Sequence, residues 1–278
     1  MNIQAILENE SLTKYEKMIA NYISKNVTRI PYMTVQELAQ ELKVSTATVS
    51  RFFVTIGFSG FKQFKDYFKS TLDITPANKM EDIINKVENK DIPTEIMNKS
   101  IQYLRKTVQR LSRKEFNRAV EALIQAKRIY IYGSGPSESL SDLLAFRLNR
   151  FDFDIKKMAK SGHELYESLL HLTKEDAVFI FGFFNTLPET QVILNHAKEV
   201  GFTTILVTDL VISDMIDNSD IVLFTERGEL WEFHSMVAPI ALVESIIVSL
   251  AMNNEEKYLS KLHDLHKLRK KYASYLPK

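Results

Sequence analysis

The chain has 278 residues, with 36 Lys and Arg, 35 Asp and Glu, no Cys and 45% hydrophobic residues. The apolar fraction excludes disorder for the bulk of the chain, and the lack of Cys excludes disulfides, Cys-ligated zinc and thiol catalysis. No apolar run reaches the length of a membrane span, and the N-terminal residues lack a signal-peptide pattern. We therefore expect a cytoplasmic protein without a membrane partner.

Charge is distributed unevenly along the chain. Residues 1–128 hold 21 basic and 14 acidic side chains, residues 129–250 hold 8 and 18, and residues 251–278 hold 7 and 3. A basic N-terminal part can neutralise DNA phosphates, whereas an acidic part repels them. The plain alternative is that the charges lie on solvated faces.

The first 72 residues read as short helices. Thr13 with Glu16, and Thr34 with Glu37, have the spacing of capping boxes that begin helices. Ser45 is suited to cap a further helix over 46–56, after a tight turn at 43–44, and Gly57 can end it in the left-handed region. Another helix is predicted over 62–72. Two helices joined by such a turn are typical of a helix-turn-helix, whose second helix enters the DNA major groove.

The exposed face of the 46–56 helix offers short hydroxyls and a guanidinium, which can reach base edges and phosphates. An ordinary helical hairpin with solvated Ser and Thr is the alternative. The predicted DNA-binding residues are Ser45, Thr46, Thr48, Ser50, Arg51, Ser59 and Lys62.

Residues 73–93 are polar, with Pro76, Asn78 and Pro93 as breakers and a short helix near 80–84. We interpret residues 73–108 as a linker and connecting helix, the latter over 95–111. Ser112 with Glu115 has the spacing of a third capping box, for a helix that runs to about residue 126.

From residue 129 onward, apolar runs alternate with amphipathic helices, which predicts a parallel sheet in an α/β layer fold. The predicted strands are 129–132, 154–158, 177–183, 203–207 and 221–224, and the predicted helices include 164–171, 189–200 and 213–216. A long apolar helix over 235–252 and a basic one over 255–275 close the chain. The boundaries we expect are 1–72 for DNA binding, 109–254 for the α/β domain and 255–278 for the basic helix.

Glycine and serine alternate between the first strand and its helix, in the run Gly133-Ser134-Gly135-Pro136-Ser137. Backbone N–H groups at such a turn attract anions, so Ser134, Gly135 and Ser137 are candidate ligand-binding residues. The run lacks the third glycine of a dinucleotide fingerprint and the Lys of a P-loop. A strand-to-helix turn with a capping Ser is the alternative.

The run from Val44 through Arg51 to Gly57-Phe58-Ser59-Gly60-Phe61 resembles the N-terminal domain of RpiR-type (MurR/RpiR-like) bacterial transcriptional regulators, over about 60 residues. The GSGPS motif and the elements after it, over about residues 110–252, resemble a SIS (sugar isomerase) domain. This resemblance implies a helix-turn-helix that binds operator DNA, a flavodoxin-like, doubly wound sheet of five parallel strands, and a sugar-phosphate ligand.

One loop departs from the family pattern. Where SIS domains carry a loop close to S-x-S-G-x-T-x-E, this chain has Gly182-Phe183-Phe184-Asn185-Thr186-Leu187-Pro188-Glu189. Two aromatic rings cannot supply the converging donors that a phosphate needs. Asn185 and Thr186 remain candidate ligand-binding residues, and we expect weak phosphate binding, a less polar ligand, or none.

These observations predict a ligand-controlled, DNA-binding regulator of a sugar-metabolism operon, without catalysis or a cofactor, that forms a homodimer or higher oligomer. A sugar-phosphate isomerase is the alternative, with acid–base groups drawn from His163, Glu164, Glu232 and His234. A regulator whose second domain only dimerises is a third possibility. No metal site is expected, because His263 and His266 have no evident further ligands.

Overall fold

The structure is a computed structural model that describes residues 12–26, 30, 33–72, 75–86, 91–183, 186–210, 213–228 and 232–276. These residues form two compact units. The first contains the described residues up to Asn98, with Leu210–Asp217 and Gly228–Ser235, and the second contains Lys99–Asp209, Asn218–Arg227 and the remainder from Met236.

Short capped helices build the N-terminal part of the chain. Both predicted capping boxes are confirmed: Thr13 and Thr34 accept from the amides of Glu16 and Glu37, whose carboxylates accept in return. Apolar residues at helical spacing then fill one core, which contains Ile19, Leu38, Val49, Phe52, Phe53, Phe58 and Phe64. The helices are α1 (Lys14–Lys25), α2 (Val35–Glu41), α3 (Thr46–Thr55), α4 (Phe61–Leu72) and α5 (Pro76–Lys86).

The segment after residue 73 is more helical than the sequence predicted. Pro76 begins α5, because a proline at the first helical position removes an N–H that would have had no partner. The same logic places Pro93 in the first turn of α6 (Ile92–Arg110), which starts before the predicted residue 95. The length of the helix expected near 80–84 was therefore underestimated, since α5 covers Pro76–Lys86.

The third predicted capping box forms one of its two hydrogen bonds in the structure. Ser112 accepts from the amide of Glu115 and begins α7 (Arg113–Gln125). The Glu115 carboxylate accepts instead from the guanidinium of Arg118, at 2.7 Å. An ion pair within the first turn has replaced the return bond to the cap.

A five-stranded, all-parallel sheet in the order β2-β1-β3-β4-β5 confirms the predicted fold class. The strands are β1 (Ile129–Gly133), β2 (Ile155–Lys157), β3 (Ala177–Phe181), β4 (Thr203–Thr208) and β5 (Ile221–Phe224). The helices that follow α7 are α8 (Glu138–Leu148), α9 (His163–Leu170), α10 (Pro188–Val200), α11 (Asp214–Asp217), α12 (Val237–Asn253) and α13 (Glu255–Lys271).

Strand periodicity assigns the two faces of the sheet. Ile129, Phe179 and Ile205 lie in one cluster with α7, α8 and α12. Neighbouring positions such as Tyr130 and Val178 are also buried, because successive side chains point to opposite faces. Both faces are covered, as in a doubly wound fold.

One charge network closes the amino edge of the sheet. Arg128 donates to the two carboxylate oxygens of Asp176 at 2.9 and 2.7 Å, and to the His171 carbonyl at 2.6 Å. Asp176 also accepts from the amide and the hydroxyl of Thr173. Burial alone would raise the pKa of Asp176, but the bonds from Arg128 and Thr173 outweigh it and lower that pKa.

Within the described residues, none of the helices combines the length and the apolar composition that crossing a bilayer requires. Length and apolar composition suffice only when α12 and α13 are taken together, and these two helices meet at a bend of 107°.

Candidate DNA-binding and ligand-binding sites

Helix α3 turns one polar face away from the core of the first unit. Val49, Phe52 and Phe53 are buried on the opposite side. The predicted residues therefore lie where the sequence placed them: Thr46, Ser50 and Arg51 are exposed and Thr48 is half-buried.

Ser45 fixes the start of α3. Its hydroxyl accepts from the Thr48 amide at 3.0 Å and lies 2.8 Å from the Thr48 hydroxyl oxygen. The turn before it uses a left-handed residue, Lys43 (φ +53°), and Gly57 ends the helix at φ +88°. The predicted cap and the predicted glycine stop are both confirmed.

The segment after α3 contributes Ser59 and Lys62 to the predicted surface, and both are exposed. Lys65, one turn further along α4, donates to the Met33 carbonyl at 2.8 Å and lies 5.2 Å from the centre of the Phe61 ring. Lys65 therefore contacts the core of the first unit, whereas Lys62 does not contribute to it.

The carboxyl edge of the sheet holds the predicted ligand residues. Ser134 is half-buried, Gly135 is exposed at φ +57°, and Ser137 is buried. Within the described chain, neither serine caps the helix that follows it with its hydroxyl. The capping alternative is therefore wrong, and both hydroxyls lie at the turn where β1 ends.

Gly133 has a separate, steric role at this turn. A Cβ atom there would lie 2.5 Å from the Ser141 hydroxyl oxygen and 2.9 Å from the Ser137 carbonyl oxygen. The absence of a side chain lets β1 approach the start of α8 closely.

The Tyr132 hydroxyl interacts with polar groups from three segments of the chain, Ser134 among them. It donates to the Lys160 carbonyl at 3.2 Å. Burial raises the pKa of Tyr132, a hydrogen bond with Ser134 opposes the rise, and the negative charge of Glu189 adds to it. Ser134 and Glu189 therefore act on the same hydroxyl, although they follow different strands.

A cleft of about 250 Å³ opens next to these groups. Its wall includes Gly162, His163, Tyr166, Pro188 and Glu189. His163 and Glu164 are exposed at the start of α9. The cleft thus offers an imidazole and a carboxylate to a small polar molecule.

The loop after β3 is described in part. Asn185 and Phe184 lie outside the described residues, so their predicted role is untested, and Thr186 is half-buried. Phe183 is half-buried, and the Arg227 guanidinium carbon lies 4.1 Å from the centre of its ring.

Sequence reasoning missed Arg227. The residue follows β5, is 6% exposed, and forms an ion pair of 3.4 Å with Asp209, which follows β4. The signal was present: a cation and an anion each follow a buried strand, and parallel strands end at the same edge.

No metal site is found in the described ranges, where His, Asp and Glu form no group of three that could hold a metal ion.

Comparison with known proteins shows that a family model matches each of the two parts of the chain. The model for the helix-turn-helix domain of the rpiR family matches residues 1–73, and that for the SIS domain matches residues 122–249. The chain belongs to the RpiR-type transcriptional regulators. It is 27% identical, over 89% of its length and 88% of the relative's, to an HTH-type transcriptional regulator of Haemophilus influenzae.

Two solved structures share the fold of this regulator. The sugar isomerase domain of an RpiR transcription factor from Sphaerobacter thermophilus is 24% identical with a TM-score of 0.59, and covers 63% of this chain and 98% of its own. The Vibrio vulnificus NanR protein, solved with ManNAc-6P, is 20% identical with a TM-score of 0.61, and covers both chains fully. At these identities, the likeness concerns the fold.

Proposed function

We propose that this regulator reads operator DNA with the exposed face of α3. One observation carries this assignment: Thr46, Ser50 and Arg51 face solvent while Val49, Phe52 and Phe53 anchor the same helix in the core. Short hydroxyls let the helix approach the base edges, and Arg51 supplies a charge for a guanine or a phosphate. Ser45, Thr48, Ser59 and Lys62 complete the proposed surface.

The second part of the proposal is control by a small molecule at the carboxyl edge of the sheet. Ser134, Gly135 and Ser137 follow β1 and Thr186 precedes α10, with Asn185 beside it in sequence. Ligands of such sheets bind where the strand order reverses, which here is between β1 and β3. NanR, which shares this fold, was solved with a sugar phosphate, so the proposed effector is a sugar phosphate or a related molecule and the target a sugar-metabolism operon.

The proposed effector changes DNA affinity and is not converted. The alternative, a sugar-phosphate isomerase, would draw on the predicted acid–base groups His163 and Glu164, of which His163 lines the cleft together with Glu189. His163 is exposed and so is Glu164, whereas an acid–base pair works best when partly desolvated. Incubation with glucosamine 6-phosphate or ManNAc-6P, followed by chromatography, tests this point, and conversion that disappears in His163→Ala would support the isomerase.

Two further features belong to the proposal. The proposed partner is double-stranded operator DNA. Because this DNA lies in the cytoplasm, the proposed location of the protein is the cytoplasm. Paired half-sites need a pair of recognition helices, so the working form is a homodimer or a higher homo-oligomer.

The deciding experiment is selection of operator DNA by the full-length protein from a pool of random duplexes. We expect enrichment of a sequence with two half-sites, and an affinity that responds to a panel of sugar phosphates. Enrichment of no sequence at ~150 mM salt, where phosphate contacts alone bind weakly, would contradict the proposed function.

A further inference from the structure

Arg227 is a cation that the fold buries. No other Lys or Arg is buried in the ranges that the structure describes. Burial lowers its pKa and the charge of Asp209 opposes that change, yet a guanidinium remains protonated in proteins. Such a charge must be compensated by partners that satisfy its N–H groups.

The compensation at Arg227 is incomplete by the standard of the same domain. Arg128 makes two short hydrogen bonds to Asp176 and a third to a carbonyl. Arg227 reaches Asp209 through one contact of 3.4 Å. Its Nε atom is buried and has no hydrogen-bond partner in the described part of the chain.

A second buried donor lies two positions earlier. Thr225 is fully buried, and its hydroxyl oxygen also lacks a hydrogen-bond partner among the residues described. The Thr225 amide donates to the Thr208 carbonyl at 2.9 Å, which extends the β4–β5 ladder by one step. Both unsatisfied groups therefore follow β5, at the same carboxyl edge of the sheet where the effector is proposed to bind between β1 and β3.

Phe183 positions the guanidinium from a third strand end. The guanidinium carbon of Arg227 lies 4.1 Å from the centre of the ring, and such a cation–π contact occupies none of the N–H groups as hydrogen-bond donors. An aromatic residue of the altered loop after β3 thus contacts the cation of a different oxyanion receptor.

We infer that Arg227 and Thr225 bind an oxyanion, either a phosphate or a carboxylate, that belongs to the effector. The planar guanidinium offers two parallel N–H donors to such a group, and the threonine hydroxyl offers a third. The oxyanion competes with Asp209, whose single long contact it replaces. This inference rests on the proposed function for the identity of the ligand as an effector.

The test titrates the full-length protein, labelled with ¹⁵N arginine, with inorganic phosphate, with acetate, and with chloride at equal ionic strength. The Nε–H signal of Arg227, assigned by its loss in Arg227→Lys, should move saturably with phosphate or acetate and remain still with chloride. Which of the two anions moves it decides between a phosphate and a carboxylate. The Arg128 signal serves as the internal control.

Two variants make the test specific. Thr225→Val keeps the shape and removes the hydroxyl, and should weaken the anion about tenfold or more, as expected for a hydrogen bond to a charged group. Thr203→Val, at the opposite, amino end of β4, is the matched control and should leave the Arg227 response intact. A stationary Arg227 signal with both anions would overturn the inference, as would an anion response that Thr225→Val does not weaken.

Failure of this inference is separable from failure of the proposed function. Arg227→Lys should bind the selected operator as well as wild type when no anion is added. Absent operator binding by wild-type protein would contradict the DNA-binding proposal, whatever the Arg227 signal does.

Discussion

The hydroxyl of Ser45 accepts a hydrogen bond from the Thr48 amide at 3.0 Å and so caps the helix whose exposed face is proposed to meet DNA. The same hydroxyl lies at the positive end of the helix, where a DNA phosphate is also attracted. The cap and the phosphate contact can be separated by chemistry.

Replacing Ser45 by Asp tests the two roles. Aspartate caps helices as well as serine does, so the unfolding free energy of Ser45→Asp should change by less than about 0.5 kcal/mol, whereas Ser45→Ala should lose about 1 kcal/mol. The added charge repels a phosphate, so Ser45→Asp should bind operator at least about tenfold more weakly. Urea denaturation and fluorescence anisotropy measure the two quantities. Unchanged DNA affinity in Ser45→Asp would place the phosphate elsewhere.

Arg51 is the proposed charged contact to DNA. A contact of this kind is typically worth about 1–3 kcal/mol, so Arg51→Ala should weaken operator binding about tenfold or more with the fold intact. Arg51→Lys separates a bidentate base contact from a phosphate contact, because lysine replaces the second more readily than the first. Lys17→Ala, on the exposed surface of α1, is the matched control. Wild-type affinity of a folded Arg51→Ala protein at ~150 mM salt would refute the assignment.

The close approach at Gly133 predicts a steric clash on substitution that Gly135 does not share. Gly133→Ala forces a Cβ against the Ser141 side chain and the Ser137 backbone, which should cost about 1–3 kcal/mol of unfolding free energy. Gly135 has open space at the Cβ position, so its alanine variant should lose about 1–2 kcal/mol from left-handed strain alone.

A double variant identifies the clash. Ser141→Ala in the Gly133→Ala background removes the contact at 2.5 Å and leaves the backbone contact at 2.9 Å. We expect partial recovery of stability in urea denaturation. Full recovery would mean that the hydroxyl alone excludes a side chain at position 133.

Sequence patterns predicted the strands and the first helices well because local physics determines them. Buried parallel strands are apolar runs, and the cap at Ser45 is a short-range hydrogen bond. Pro76 was interpreted as a breaker although it begins α5, because a proline at the first helical position looks the same as one in a loop. Arg227 was not predicted as a buried site residue, because its partners Asp209 and Phe183 are distant in sequence and meet it only where the strands end at one edge of the sheet.

The Arg128–Asp176 pair predicts a pH dependence. Asp176 has a pKa below its ordinary value of 3.8, so the unfolded chain binds a proton more readily than the folded one. The pair therefore stabilises the folded protein at pH values above 3.8. This contribution is lost as the pH falls through the lower pKa that Asp176 has in the folded state. Asp176→Asn should cost about 2–4 kcal/mol near neutral pH, because it leaves Arg128 without its charge partner.

Unfolding of wild type and Asp176→Asn by urea, from neutral to strongly acidic pH, measures this contribution. The difference between the two proteins should shrink once the pH falls below 3.8. Glu175→Gln is the matched control, because its carboxylate pairs with Lys127 at the exposed surface. A difference that stays constant across the range would mean that Asp176 contributes through its shape and not through its charge.

The exposed apolar residues of α12 bear on oligomerisation. Val237, Ile240, Val248 and Met252 are exposed on one face of a helix whose other side is buried against α8. Glu244 is exposed between them on the same face, and exposed apolar side chains with a polar residue among them favour an interface. We expect the full-length protein to be at least a dimer by light scattering at micromolar concentration. Val248→Glu should shift it toward the monomer, since burying an unpaired carboxylate costs several kcal/mol, while Leu170→Glu, at a more exposed position on α9, should not. A monomeric wild type would refute the dimer, and a Val248→Glu protein that stays dimeric would place the interface on another face.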